Sequence, residues 1–236
     1  MTRTRLTIHE FIVLGVIGAL GSPPVASSQE LGTDLQAMAS ALARTPRIAL
    51  DVSVEVYSNE SLSRTPTRMR ISFRKFGTRL LYRVSGTTIL QTDSATVIAD
   101  DQARTIAYTA HAQVSKDSLL GSLTRIHDAV AIADSVRFRG TENGARHYSV
   151  YGRHDGSIVR IAIDTEMNAL MRVVYERPYP NDTTIRLIDI KYDWLAPTIV
   201  IEAELDPAHF VSRSAAGHLA VAPAYVGYRL ELVTPP

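Results

Sequence analysis

Cysteine does not occur in the 236 residues of this chain. A chain without thiols forms no disulfide, offers no thiolate ligand to a metal and lacks the lipidated cysteine of a bacterial lipoprotein. If the chain is exported, we therefore expect a soluble protein that carries no lipid on cysteine.

Motifs for the common catalytic chemistries are also missing. The sequence contains no G-x-S-x-G nucleophile turn, no H-E-x-x-H zinc motif and no glycine-rich phosphate loop. No two of its seven histidines stand at the i, i+2 or i, i+4 spacing that brings two imidazoles to one metal. We predict no catalytic residue, no metal and no cofactor. The alternative that stays open is a hydrolase with an unrecognised site.

Three short polar pairs come nearest to a chemical site. His127-Asp128 and His154-Asp155 are adjacent in sequence, which on a helix turns the two side chains about 100 degrees apart. Asp100-Asp101 has no further carboxylate at the spacing that a hard cation needs. We interpret the histidines as surface residues and the two aspartates as a solvated turn.

An excess of charge of either sign is absent too. The chain has 25 basic and 24 acidic residues. Removing residues 1–28, which contain Arg3, Arg5 and Glu10, would leave 23 of each. A balanced chain has no general attraction to nucleic acid, so we predict no nucleic-acid partner.

The N-terminus has the layout of a secretory signal peptide. Arg3 and Arg5 give a basic start, residues 11–20 form a short apolar run, and small residues at 25–28 supply two cleavage sites. We predict that residues 1–28 are removed and that the protein is periplasmic or extracellular. The alternative is a retained anchor, for which the apolar run is short.

A helix followed by a strand opens the mature chain. Apolar residues at spacings of four, three and four predict one buried helical stripe, which Pro46 must end. The next segment, residues 48–57, alternates apolar and polar positions as expected of a strand with one buried face. The stripe residues are Leu31, Leu35, Met38 and Leu42, and the apolar strand residues are Ile48, Leu50, Val52, Val54 and Val56.

Two strand meanders follow, separated by a second predicted helix. The first covers residues 69–109 and has short polar turns between its strands. Residues 115–133 carry the helical stripe Leu119, Leu123, Ile126 and Val130. From Val136 the strands resume, and Asn143-Gly144 predicts a tight hairpin.

The second meander continues to Trp194. Met171, Val173 and Tyr175 are predicted to share one face, and a change of apolar parity after Leu187 predicts a β-bulge. Beyond Trp194 the pattern weakens, although residues 198–205 and 224–233 both read as extended.

The element order resembles that of the periplasmic lipoprotein carriers LolA and LolB. Residues 31–56, the run from Ile71 to Tyr82, and residues 159–174 with their turn carry the similarity. The resemblance implies an α+β, mostly β, fold in which a curved antiparallel sheet, a half-open barrel, wraps one or two helices. It also implies that residues 29–236 form a single domain of this kind.

The predicted inner face of the sheet is the candidate ligand surface. A carrier of this type would bind a lipid or acylated ligand and would not be an enzyme. The alternative is an envelope module for structure or protein interaction, with a concavity filled by its own helices through Met38, Leu42 and Leu123. The predicted ligand-binding residues are Val52, Val54, Val56, Phe73, Tyr82, Ile161, Val173, Tyr175 and Ile190.

A group of basic residues on one predicted hairpin is a candidate docking surface. Cross-strand neighbours lie about 5 Å apart, so these charges would repel one another unless a partner is bound. We predict docking to an anionic membrane surface or an acidic protein partner; the alternative is neutralisation by Asp51, Glu55 and Asp93. The surface-docking residues are Arg68, Arg70, Arg74, Arg79 and Arg83, with Lys75 at the turn.

Overall fold

The computed structural model describes residues 26–58, 65–110, 133–153, 156–177, 185–214 and 218–233. The predicted signal peptide lies outside these residues except for its last three, and so does nearly all of the second predicted helix. No described helix is long and apolar enough to cross a bilayer.

The first predicted helix is confirmed as α1, which runs from Ala26 to Arg44. Its apolar stripe is buried, with Leu31 and Met38 fully enclosed. The helix ends just before Pro46, because the residue preceding a proline disfavours helical backbone angles. The chain then turns directly into the first strand.

Fourteen strands lie in the described residues. Their bounds are β1 Arg47–Ser58, β2 Thr67–Phe76, β3 Arg79–Val84, β4 Thr87–Gln91, β5 Ala95–Asp100, β6 Thr105–Ala110, β7 Ser135–Glu142, β8 Ala145–Tyr151, β9 Ile158–Asp164, β10 Ala169–Glu176, β11 Ile185–Leu195, β12 Val211–Arg213, β13 Leu219–Val221 and β14 Arg229–Leu232.

Twelve of these strands form one sheet, in the order β14-β6-β5-β4-β3-β2-β1-β11-β10-β9-β8-β7. The two meanders, β2 to β6 and β7 to β11, meet on either side of β1. Neighbours are antiparallel except β14, which pairs with β6 in parallel. The sheet is curved and does not close, which confirms the mostly β, half-open barrel.

The predicted hairpin at Asn143-Gly144 is confirmed. Both residues have positive φ, 50° and 78°, as a two-residue turn matched to the twist of its strands requires. Glycine reaches this region without steric cost, and asparagine does so more easily than most residues.

Two details of register differ from the prediction. The break in β11 lies between Ile185 and Leu187, one step before the predicted position. In β10 a second break lies between Leu170 and Arg172. Met171 occupies that bulge and is exposed, so its predicted place beside Val173 on the buried face is wrong.

The sheet is packed on both faces. The inner face, defined here as the face against α1, carries the first core. The outer face of β3 to β6 is covered by the chain after β11, which buries Val200, Leu205, Phe210 and Val211 against Leu81 and its neighbours. Phe210 stacks on Tyr225 with ring centroids 5.2 Å apart, which holds the two halves of this C-terminal layer together.

The predicted extended conformation of residues 198–205 is wrong. The C-terminal layer instead contains four short 3-10 turns: Pro197–Ile199, Glu202–Leu205, Pro207–His209 and Pro223–Tyr225. Three of them begin with proline, whose fixed φ suits the first position of a helical turn. Only the last part of residues 224–233 is extended, as β14.

Candidate functional site

The inner face is a continuous apolar surface that runs across the barrel in rows. Strand register places Val54 beside Met69 on β2 and Ile190 on β11, and the row continues through Val173 to Ile161. Each of these residues belongs to the first core or packs against it. Rows of this kind arise because alternate residues of paired strands point to the same face.

Helix α1 fills the middle of this surface. Leu31, Leu35, Met38 and Leu42 pack into the first core together with residues from β1 to β3 and β7 to β10. Below the helix, inner-face residues such as Leu50 and Ile161 are only 2% exposed. The concavity under α1 is therefore occupied by the protein itself.

The helix is fixed at its C-terminal end by Lys75. The Nζ atom of Lys75 donates to the carbonyl oxygens of Leu42 at 2.9 Å and Thr45 at 2.8 Å. The last carbonyls of a helix have no partner within it, so the ammonium group satisfies them. Burial lowers the pKa of Lys75.

This position of Lys75 corrects the prediction that it joins the basic surface. Lys75 follows Arg74 on β2 and therefore points to the opposite, inner face, where it is 7% exposed. Sequence could not show this, because the helix end that receives the ammonium group is about 30 residues away in the chain.

The N-terminal half of α1 is fixed through Asp34. The hydroxyl of Tyr148 donates to Oδ2 of Asp34 at 2.6 Å, and Nη1 of Arg146 donates to Oδ1 at 3.0 Å. Burial, together with the hydrogen bond to Asp34, raises the pKa of Tyr148 well above its usual range. Charge-assisted hydrogen bonds at its C-terminal end and near its middle thus hold α1 on β2 and β8.

Apolar inner-face surface continues beyond the helix in two directions. Toward the C-terminal end of β1, the row formed by Val56, Ile188, Tyr175 and Val159 is half-buried. We call this the open row. Along β3 to β5, Tyr82, Ile89 and Ile98 form a second row, in which Ile98 is 39% exposed. We call this the open wing.

All nine predicted ligand-binding residues lie on the inner face. Five of them, Val52, Val54, Phe73, Ile161 and Val173, are buried in the first core. The other four, Val56, Tyr82, Tyr175 and Ile190, are half-buried. The structure brings the nine onto one surface, and their role in binding stays a prediction.

Tyr192 adds a polar group to this surface. It pairs with Val52 across β1 and β11 and packs against the first core. Burial raises its pKa to about 12, so the phenol is neutral at physiological pH. Among the described residues its hydroxyl has no hydrogen-bond partner, which leaves a donor available beside apolar side chains.

Four of the five predicted docking arginines form ion pairs on the outer face. Arg68 and Arg74 contact Glu55 and Asp51 of β1 at 2.9 Å and 3.1 Å. The other carboxylates come from the C-terminal layer: Arg83 contacts Glu204 at 2.8 Å, and Arg79 lies 3.9 Å from Glu202.

The fifth docking arginine, Arg70, is exposed, and no described carboxylate pairs with it. Asp93, named as a possible neutralising group, accepts a hydrogen bond from the Thr78 hydroxyl at 2.8 Å. The hairpin therefore carries less unpaired positive charge than its sequence implies. Docking of this face stays a prediction.

A separate cleft of about 350 Å³ opens at the rim of the barrel. It lies where α1 ends, β1 begins and β11 ends, next to the β9–β10 turn, and none of the nine predicted residues lines it. Its lining includes the buried residues Leu42, Ile48 and Ala169 and the more exposed residues Trp194 and Met167. Sequence patterns miss such a site because its residues are element ends far apart in the chain.

Potential metal-ligating side chains do not cluster in the described part of the chain. No group of three or more potential ligands there could hold a metal ion. The turn at Asp100 is a local one, in which Oδ1 accepts from the backbone N–H groups of Gln102 and Ala103, both at 2.8 Å. His127, Asp128, His154 and Asp155 lie outside the described residues.

No protein-family model matches the sequence, and no curated protein matches it significantly. Several solved structures are similar in fold. An uncharacterised conserved protein from Thermus thermophilus is 9% identical, over 87% of this chain and 100% of its own, with a TM-score of 0.43. A chain of the MucA/MucB complex from Pseudomonas aeruginosa is 13% identical, over 82% of this chain and 63% of its own, with a TM-score of 0.41.

A LolA superfamily protein from Nitrosomonas europaea is also among the similar structures. It is 7% identical, over 77% of this chain and 98% of its own, with a TM-score of 0.32. These are likenesses of fold at low sequence identity, and nothing about the function of this chain follows from them.

Proposed function

We propose that the protein is an exported, non-enzymatic carrier that binds a lipid or acyl chain on the inner face of its half-barrel. The observation that carries this proposal is the apolar inner-face surface that α1 leaves half-exposed. An isolated monomer rarely leaves a row of apolar side chains open inside a concavity unless something binds there.

The open row and the open wing are where the ligand would bind. Since α1 is held at its C-terminal end by Lys75 and near its middle by the contacts of Asp34 with β8, the ligand would not displace the helix. It would extend the first core beyond the helix. The hydroxyl of Tyr192 could donate to an ester or carboxyl oxygen of such a ligand, which would orient the chain.

An acyl chain would gain binding energy mainly by burying its methylene groups. Each buried methylene contributes about 0.8 kcal/mol, so eight to ten carbons would contribute about 7 kcal/mol before the entropic cost of binding. Additional affinity would have to come from the polar end of the ligand.

Substitutions at Ile188 and Ile98 test the proposal. We expect Ile188→Gln or Ile98→Gln to weaken binding of a fluorescent fatty-acid probe at least threefold, because each puts an amide into the proposed site. Leu187→Gln is the matched control, since Leu187 is equally half-buried but points to the outer face. Equal probe affinity in all three variants and the wild type would contradict the proposed site.

A second candidate function is an envelope module for structure or protein interaction. It is favoured by the two sets of hydrogen bonds that fix α1 in the concavity, because a permanently filled barrel needs no ligand. A protein that binds no fatty-acid probe, and whose stability does not change when lipid is added, would support this candidate over the carrier.

A further inference from the structure

The rim cleft combines an apolar interior with one positive charge. Among its lining residues, Leu42, Ile48 and Ala169 are buried and Arg47 is exposed. None of the lining residues is acidic. The guanidinium of Arg47 lies 4.8 Å from the centre of the Phe76 ring, and no described carboxylate pairs with it.

The nearby helix end would normally oppose an anion at this place. The C-terminus of α1 contributes Ala41, Leu42 and Thr45 to the cleft, and free carbonyls there would carry partial negative charge. Here Lys75 donates to the carbonyls of Leu42 and Thr45, and the Thr45 amide donates to that of Ala41 at 3.0 Å. The positive charge of Arg47 is therefore not offset by these carbonyls.

The β9–β10 turn supplies an adaptable wall. Oδ1 of Asp164 accepts from the amides of Glu166 and Met167, both at 2.8 Å, and Asn168 closes the turn with a φ of 49°. In this conformation the residue Met167 lines the cleft and is 53% exposed. A flexible thioether adjusts readily to an alkyl chain of variable shape.

We propose that the rim cleft binds a single-chain fatty acid, with its alkyl chain in the cleft and its carboxylate against Arg47. An apolar cavity with one unpaired cation at its edge is complementary to such an amphiphile, and a volume of about 350 Å³ is near the lower limit of small-molecule sites, which suits one chain. This site is separate from the open row of the proposed inner-face site. Along β11, Trp194 lies six residues from Ile188, or about 20 Å.

The chain's single tryptophan makes the test direct. Trp194 lines the cleft, so a bromine atom at the end of a bound chain would quench its fluorescence on contact. We expect saturable quenching by 10-bromodecanoate. Arg47→Gln should weaken that affinity about fivefold, as for loss of one exposed ion pair worth about 1 kcal/mol. The uncharged 10-bromodecanol should bind both proteins alike.

Three controls make the result decisive. Arg70→Gln removes the same charge from the outer face and should leave the affinity unchanged. Ala196→Phe should fill the cleft from an exposed loop position and abolish the quenching without lowering the melting temperature. Ile188→Gln should leave the quenching intact, whatever it does to inner-face binding. Absence of quenching, equal affinity of Arg47→Gln and wild type for the carboxylate, or loss of quenching in Ile188→Gln would overturn the proposal.

Discussion

Lys75 shows how one charged residue holds the end of a helix in place. Its ammonium group lies in the interior, bonded to two carbonyls at the end of α1. A buried charge is stable only when polar partners surround it. Here the partners are carbonyl groups that would themselves lack a hydrogen bond without the lysine. The hydrogen bonds therefore compensate both the ammonium group and the carbonyls for the water that they lose on burial.

We predict that Lys75→Met will destabilise the protein by about 1 to 3 kcal/mol, the cost of leaving buried carbonyls unsatisfied. Lys191→Met is the control, because Lys191 is exposed on the outer face and should change stability by less than about 0.5 kcal/mol. Chemical denaturation of both variants is the measurement. Equal midpoints would mean that Lys75 does not hold the helix.

The face assignment of β1 can be tested with two adjacent residues. Val54 is 6% exposed within the first core, whereas Ser53 points outward and is half-buried. We expect Val54→Asp to lower stability by several kcal/mol, because it buries an unpaired carboxylate. Ser53→Asp should cost much less. Comparable losses from the two substitutions, measured by thermal unfolding, would contradict the assignment.

At the scale of elements, periodic patterns predicted what lies on one face of a helix or strand. The stripe of α1 and the alternation of β1 each reflect burial on one side, and both are confirmed. The assignment of Met171 is wrong because Leu170 and Met171 are both apolar, so the local pattern does not show which of them the bulge turns outward. No sequence pattern predicts the C-terminal layer, because its 3-10 turns bury scattered residues such as Leu205 and Phe210 without a regular period.

The β2–β3 hairpin carries the predicted docking surface. Arg70, Arg74 and Arg83 point to the outer face, where Arg74 and Arg83 have carboxylate partners. We propose that the surface binds anionic membranes or an acidic partner, mainly through Arg70. Replacing all three by Gln should then weaken binding to anionic liposomes, and the wild-type affinity should fall steeply as salt rises. Identical binding of both proteins across a salt series would contradict docking.

At the scale of the whole molecule, one curved sheet is packed on both faces by different parts of the same chain. Helix α1 covers part of the inner face, and the C-terminal layer covers the outer face of β3 to β6. The resemblance to LolA and LolB implies the half-barrel, and alternation along the strands predicts its inner face. Sequence could not predict the rim cleft or how far α1 fills the concavity, because both depend on contacts between distant segments.

The remaining apolar inner-face surface is what the carrier proposal depends on. Native mass spectrometry of the protein purified from its host envelope, before and after extraction with organic solvent, tests the carrier function most directly. The account predicts a co-purifying lipid or acylated molecule that the solvent removes and that a fatty-acid probe then replaces. Protein that is ligand-free from the start and fails to bind the probe would contradict the carrier function.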